Sequence, residues 1–330
     1  MLGAVASPRS TDPAELIEQA RGGDRAALAR LISIIERGGP PARAVSRVTH
    51  PRSGHAYTIG ITGAPGAGKS TLTNALVTVL RAGGDHVGVL AIDPSSPFTG
   101  GAILGDRVRM GDHALDDGVF IRSMATRGHL GGLALATPEA MRVLDAAGLP
   151  WIIIETVGVG QVEVEITGSA DTTVVVVNPG WGDAVQANKA GLMEIADVFV
   201  INKADRPGAE DTRHDLEQML ELGFGGADPS QWRPPVIATV ASTGEGAAEL
   251  WQAIGRHRAH LIERDLLVSR RTARLTDELQ HIVAAKLLER ARALAAGARF
   301  DRLRDDVLAR RLDPWSAAEL LLGDLHGGDS

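Results

Sequence analysis

GAPGAGKST, Gly63-Ala64-Pro65-Gly66-Ala67-Gly68-Lys69-Ser70-Thr71, stands between the apolar run YTIGIT and the helical pattern Leu72, Ala75, Leu76, Val79, Leu80. It matches GxxxxGK[ST] in the setting that pattern requires, a strand that turns through a glycine-rich loop into a helix. Glycines let successive backbone N–H groups turn inward around phosphate oxygens, and the helix N-terminus adds favourable partial charge at the same point. Lys69 is then placed to neutralise the β- and γ-phosphates. Ser70 offers a hydroxyl oxygen to Mg²⁺, a hard cation that prefers oxygen ligands.

Outward from this loop, short β-rich runs alternate with helical patterns. YTIGIT, VGVLAID, WIIIE, TTVVVV, DVFVIN and PVIATV are continuously apolar, as strands covered on both faces are, and VFIRS at 119–123 adds a further candidate. The expectation is a three-layer α/β P-loop domain over residues 56–258 with a mostly parallel central sheet. Before it, residues 11–38 place Leu16, Ile17, Ala20, Ala27, Leu28, Leu31 and Ile34 at helical spacing around the interruption Gly22-Gly23. That spacing predicts two short amphipathic helices. The segment from Gly38 to His55 is rich in Gly, Pro and Arg without periodicity and reads as an extended connection, closing an N-terminal extension over residues 1–55. Past about Gly255 the strand patterns stop. Leu275, Leu279, Ile282, Val283, Leu287 and Leu294 form an apolar stripe on a helix from Asp265 to about Ala296. The stripe marks residues 259–330 as a helical arm that packs either on its own domain or on a second copy, the second being the economical outcome for so long a stripe.

Composition limits the classes of function. With 330 residues, 44% hydrophobic content and a formal charge of −7, the chain can bury one large core but offers no concentrated basic face for nucleic acid. It has no cysteine, so neither a disulfide framework nor a thiolate metal site is possible, and its ten histidines are scattered. MLGAVAS is too short for a signal-peptide apolar region, and no apolar run approaches the roughly 18 residues that span a bilayer. A cytoplasmic protein with no membrane association is expected.

The base is selected downstream. DVFVINKAD, Asp197 to Asp205, ends a strand in NKxD, where the Asp205 carboxylate can accept two hydrogen bonds from guanine N1 and N2. Adenine has no such donor pair, and a site built for hydrogen bonds rejects analogues that lack them. Asn202 is expected to brace the loop and the Lys203 stem to cover the base. In ASTGEG, Ala241, Ser242 and Thr243 are placed to offer a backbone N–H to guanine O6. Three carboxylates face the expected metal and γ-phosphate: Asp93 at the end of VGVLAID, Asp106 in TGGAILGDRVRM, and Glu155 at the end of WIIIE. A strand-end carboxylate also serves as a turn or helix cap. In ETVGVGQ, Gly158 is placed to offer an N–H to the γ-phosphate, with Gln161 a candidate for orienting water. Arg127 and His129 in MATRGHLGG fit a partner contact, a nucleotide contact or a solvated loop.

Together, GAPGAGKST, AIDPSSPFTGGAILGDRVRM, RSMATRGHLGGLA, IIIETVGVGQVEVEI, NPGWGDAVQANKAGLMEIAD and NKAD resemble the methylmalonyl-CoA mutase-associated GTPases, the MeaB/ArgK family, over roughly residues 10–325. The resemblance implies a homodimeric, GTP-hydrolysing chaperone for an adenosylcobalamin-dependent methylmalonyl-CoA mutase, which gates cofactor loading and protects or reactivates the mutase. It implies GTP or GDP with Mg²⁺ at the site and a metal shell of Ser70, Asp93, Asp106 and Glu155. It also implies a mobile loop from Asn178 to Lys189, with Lys189 joining Lys69, Asp93 and Glu155 in catalysis. Three other classes remain: an amino-acid (arginine/ornithine) transport kinase, a nickel metallochaperone GTPase, and a nucleotide-sensing module without catalysis.

Overall fold

The computed structural model describes residues 11–93, 111–113, 115–125, 132–156, 170–180, 194–224, 231–294 and 297–323. Helix α1 (Pro13–Arg21) starts on Asp12, whose side chain accepts from the Ala14 N–H, and α2 (Arg25–Arg37) starts on Asp24, which accepts from Ala26 and Ala27. Each cap satisfies donors that the first helical turn leaves open. Leu28, Leu31, Ile32 and Ile35 are buried along one stripe of α2.

The expected extended connection after Gly38 is corrected by the structure: α3 spans Gly39–Thr49, followed by a single 3₁₀ turn at His50–Arg52. Pro40 and Pro41 occupy the first turn, where no intrahelical N–H is needed. Ala42, Val45 and Thr49 form a narrow buried stripe, so packing against α1 and α2 supplies what helix propensity does not. The chain then reaches the sheet under the control of Asp145, whose carboxylate accepts from the N–H groups of Gly54, His55 and Ala56.

Among the described residues seven strands form one sheet: β1 (Tyr57–Gly63), β2 (Val87–Asp93), β3 (Val119–Ala125), β4 (Trp151–Thr156), β5 (Thr172–Val177), β6 (Val198–Asn202) and β7 (Val236–Thr239). Their order is β3-β2-β4-β1-β5-β6-β7, and every pairing is parallel. Because side chains alternate, Ile59, Ile61, Val174, Val176, Val198 and Val200 pack with α4 (Lys69–Ala82) and α7 (Ala247–Glu263). On the opposite face, α1 to α3 and α5 (Gly132–Ala146) cover Leu90, Ile92, Ile152 and Ile154. Helix α6 (Ala209–Phe224) covers Val175, Val177, Phe199 and Ile201 with Leu216 and Leu220. Burial on both faces explains why the strands read as unbroken apolar runs. All the strands being parallel, their carboxyl ends line one edge, where open α/β sheets place ligands.

The opposite edge is closed by polar contacts. Tyr57 Oη lies 2.6 Å from Thr172 Oγ1, which lies 2.8 Å from His257 Nδ1. Asp171 accepts from the Thr58 N–H and Asp197 from the Thr173 N–H, so each aspartate ties neighbouring strand starts together. Asp265, at φ +55°, turns the chain into α8 (Leu266–Leu294). In its second turn Arg270 donates to Asp197, while Arg271 donates to Asp171 and to the Gly54 and Ala56 carbonyls.

By their internal contacts the residues group into two compact units, Met1–Thr272 and Ala273–Ser330. The second holds the remainder of α8 with α9 (Ala298–Leu308) and α10 (Pro314–Leu322), the last two joined by an Arg299 to Leu320 carbonyl bond of 2.7 Å. Along α8, Leu275, Leu279, Val283, Leu287 and Leu288 are exposed. Among the described residues no helix is long and apolar enough to cross a membrane.

Tyr57 is the protein's only tyrosine, and burial pushes its hydroxyl up to about 12, against a smaller lowering by the Thr172 hydrogen bond. An unfolded chain ionises tyrosine near pH 10. The folded state therefore holds its proton longer, and the stability this group contributes is intact below pH 10 and lost as pH rises toward 12. Absorbance titration at 295 nm is expected to show one transition centred near 12, moving to about 10 in denaturant; a native midpoint near 10 would mean that the Tyr57 environment is wrong.

Candidate nucleotide site

The phosphate loop connects β1 to α4, and two of its glycines are demanded by their neighbours. Gly63 has φ +141°, and a Cβ there would fall 2.0 Å from the Val176 carbonyl oxygen on β5. Gly68 has φ +87°, and a Cβ there would fall 2.4 Å from Asn202 Nδ2. Within the loop the Ala67 N–H donates to the Ala64 carbonyl at 3.1 Å, while Pro65, Gly66 and Thr71 are exposed. Lys69 is 5% exposed, and its ammonium donates to the carbonyls of Gly63 at 2.6 Å and Ala64 at 3.0 Å. A cation folded into its own loop is placed where phosphate charge would otherwise be uncompensated.

A second cluster closes against the first. Asn202, at the end of β6, donates through Nδ2 to the Ala67 carbonyl at 2.7 Å. Its Oδ1 accepts from Thr239 Oγ1 at 3.1 Å and from the Ala241 N–H at 3.0 Å. One amide thus joins the phosphate loop, β6 and the loop after β7, and its two acceptor contacts fix which way it faces. Lys203 sits at φ +60°, a costly backbone for a side-chain-bearing residue, and its ammonium donates to the Gly66 carbonyl at 2.7 Å. Asp205 is exposed on the loop leaving β6, which the Ala204 N–H holds by donating to the Thr239 carbonyl. Ser242 and Thr243 are exposed on the facing loop, where Thr243 Oγ1 donates to the Val240 carbonyl at 3.0 Å.

On the metal side Ser70 Oγ donates to Glu155 Oε1, and Glu155 is only 2% exposed. A buried carboxylate beside a hydroxyl at the start of the helix behind a phosphate loop is a hard-oxygen donor set that suits Mg²⁺. Among the described residues no three His, Asp or Glu side chains converge as a metal cage. Asp93 ends β2, two strands from β1 at the same sheet edge, and only its backbone is described. Asp106, Arg127, His129, Gly158, Gln161 and Lys189 lie outside the described residues, as does the Asn178–Lys189 loop beyond Gly180.

The fold therefore brings together Gly63 to Thr71, Glu155, Asn202, Lys203 and Ala241. Two contacts had no counterpart in the sequence reading: Thr239 as a partner of Asn202, and Lys203 as a bridge to Gly66. Thr239 shows only as a polar residue ending an apolar run, and nothing in local spacing couples it to a residue 37 positions earlier.

The family model described as methylmalonyl Co-A mutase-associated GTPase MeaB matches residues 28–296. The chain belongs to the MeaB family of GTPases. Similar to it are a Pyrococcus abyssi protein carrying a GTPase name, 51% identical over 95% of this chain and 97% of its own, and GTPase ArgK of Escherichia coli, 41% identical over 73% and 74%. The mouse protein named methylmalonic aciduria type A homolog, mitochondrial, is 32% identical over 91% of this chain and 76% of its own. A crystal structure of a LAO/AO transport system kinase superposes with a TM-score of 0.72 at 29% identity, covering 97% of this chain and all of that one. Like the rest of its family, the chain is a P-loop GTPase, and its seven-stranded parallel sheet with flanking helices is the fold of that class.

Substituting Gly66 and Gly68 in turn separates backbone cost from crowding. Gly66→Ala meets no protein atom within 4 Å and carries only the left-handed backbone cost of about 1–2 kcal/mol. Gly68→Ala carries the same cost and also displaces Asn202. G68A is expected to lower the thermal midpoint of the nucleotide-free protein further than G66A; equal midpoints would contradict the bracing role of Asn202.

Proposed function

We propose that this chain is a GTP-hydrolysing chaperone for an adenosylcobalamin-dependent methylmalonyl-CoA mutase, gating cofactor loading and protecting or reactivating its client. The observation that carries this reading is the match of the mutase-associated family over residues 28–296, on a chain whose phosphate and NKxD loops are joined through Asn202. In this reading Asp205 accepts from guanine N1 and N2, Lys203 covers the base, and the Ala241 to Thr243 backbone meets O6. Residues 63–71 cradle the phosphates, with Lys69 compensating the charge that spreads over their oxygens as the γ-phosphoryl leaves. Ser70 and Glu155, with Asp93 and Asp106, would hold Mg²⁺, which would supply further charge compensation to the phosphates.

Slow intrinsic turnover, raised by a partner, is the expected behaviour of this site. The loop from Asn178 to Lys189 is assigned to that partner response, with Lys189 completing the catalytic group. Addition of the mutase is expected to raise the GTPase rate at least tenfold; equal rates with and without it would contradict the gating role. Release of phosphate to water, with none transferred to arginine, ornithine or protein, separates this reading from a transport-kinase activity.

We further infer a homodimer formed through the arm. Leu275, Leu279, Val283, Leu287 and Leu288 leave an apolar stripe exposed on α8, more than a solvated helix face carries. Sedimentation over a range of concentrations is expected to give twice the monomer mass, and Leu279→Glu with Val283→Glu the monomer; a monomeric parent protein at high concentration would remove this assignment.

A further inference from the structure

The Ser70 to Glu155 contact is backed, on the other face of the sheet, by two buried hydroxyls. Ile61 on β1 lies opposite Glu155 on β4 in the parallel register, so Thr62 and Thr156 are the next residues along the two strands. Odd-numbered β4 side chains face α4, as Ile153 does, and even-numbered ones face α5 and the N-terminal helices, as Ile152 and Ile154 do. Glu155 accordingly points toward Ser70, and Thr156 points away from it. Behind the site Thr156 Oγ1 donates to Thr62 Oγ1 at 3.2 Å, and both residues are fully buried.

Packing alone does not call for hydroxyls here. Valine has the same shape and β preference, and the preceding positions on the same face of the two strands are Gly60 and Ile154. A buried hydroxyl costs free energy unless it is hydrogen-bonded, so a matched pair at one level of two adjacent strands is a specific fastening. Its position is also particular: Thr62 immediately precedes Gly63, where β1 gives way to the phosphate loop, and Thr156 immediately follows Glu155 at the end of β4.

We propose that Thr62 and Thr156 are positioning residues for the metal site: their hydroxyl pair locks the ends of β1 and β4 together so that the Glu155 carboxylate is presented beside Ser70. The proposal rests on the reading of Ser70 and Glu155 as Mg²⁺-holding groups. The fastening acts on the carboxylate through the backbone of residue 155, and neither threonine touches nucleotide or metal. Its effect falls on how tightly Mg²⁺ is coupled to bound nucleotide rather than on nucleotide binding itself.

The test is the release of a fluorescent GDP analogue from the full chain as Mg²⁺ is varied, together with its affinity in EDTA. Thr156→Val and Thr62→Val are each expected to raise the Mg²⁺ concentration that half-maximally slows release by about fivefold, the scale of one neutral hydrogen bond. Affinity in EDTA is expected to stay unchanged, and T62V/T156V to be no worse than T156V alone, because T156V has already removed the shared bond. Thr156→Ser restores the hydroxyl and is expected to recover the parent midpoint, which separates fastening from a general loss of folding. A parent protein that responds to Mg²⁺ while T156V keeps its midpoint would overturn the positioning role alone. A parent protein whose GDP release ignores Mg²⁺ would overturn the metal reading and this proposal with it.

Discussion

The Asn202 side-chain amide is the interaction on which the site depends. It receives hydrogen bonds from Thr239 and Ala241 on one side and gives one to Ala67 on the other. A parallel sheet brings strand ends to a common edge but does not fix the loops above them; that takes contacts between loops. Asn202 is 2% exposed, so each of its bonds forms away from water, where leaving a polar group unpaired costs roughly 1–3 kcal/mol. The phosphate loop and the loops assigned to the base are thereby parts of one hydrogen-bonded body, and Gly68 is a glycine because that body leaves no room for a Cβ.

Charge is handled differently at the two ends of the sheet. At the carboxyl edge Lys69 and Lys203 turn their ammonium groups onto loop carbonyls, and Glu155 is buried against Ser70. In the proposed function these are the groups that would exchange their partners for ligand. At the opposite edge Asp171 and Asp197 are each satisfied by a backbone N–H and an arginine of α8, which closes the sheet with full pairing. Truncating one partner of such a buried pair would strand the other.

How much of this could be read beforehand follows from the range over which each feature is encoded. The phosphate loop, the strands and the NKxD turn are local patterns, and seven strands with α1, α2, α4 and α8 stand where the runs of apolar residues put them. Helix α3 was not legible, because Gly39, Pro40 and Pro41 read as a helix breaker and only three small buried side chains offset them. Asp171 and Asp197 looked like ordinary residues ahead of strands; their arginines lie 100 and 73 positions away, beyond any periodicity. Thr62, Thr156 and Thr239 were hidden for the same reason, since threonine suits a strand whether or not its hydroxyl has a partner. The roles assigned to Asp106, Gln161 and Lys189 rest on sequence alone, these residues lying outside the described ones.

The most direct test of the account is calorimetric titration of the nucleotide-free protein and of Asp205→Ala with GDP and with ADP. The account predicts that the parent protein prefers GDP by a factor on the order of a hundred or more, and that the variant loses most of that preference by weakening for GDP alone. ADP held as firmly as GDP by the parent protein, or a preference that survives removal of the Asp205 carboxylate, would contradict it.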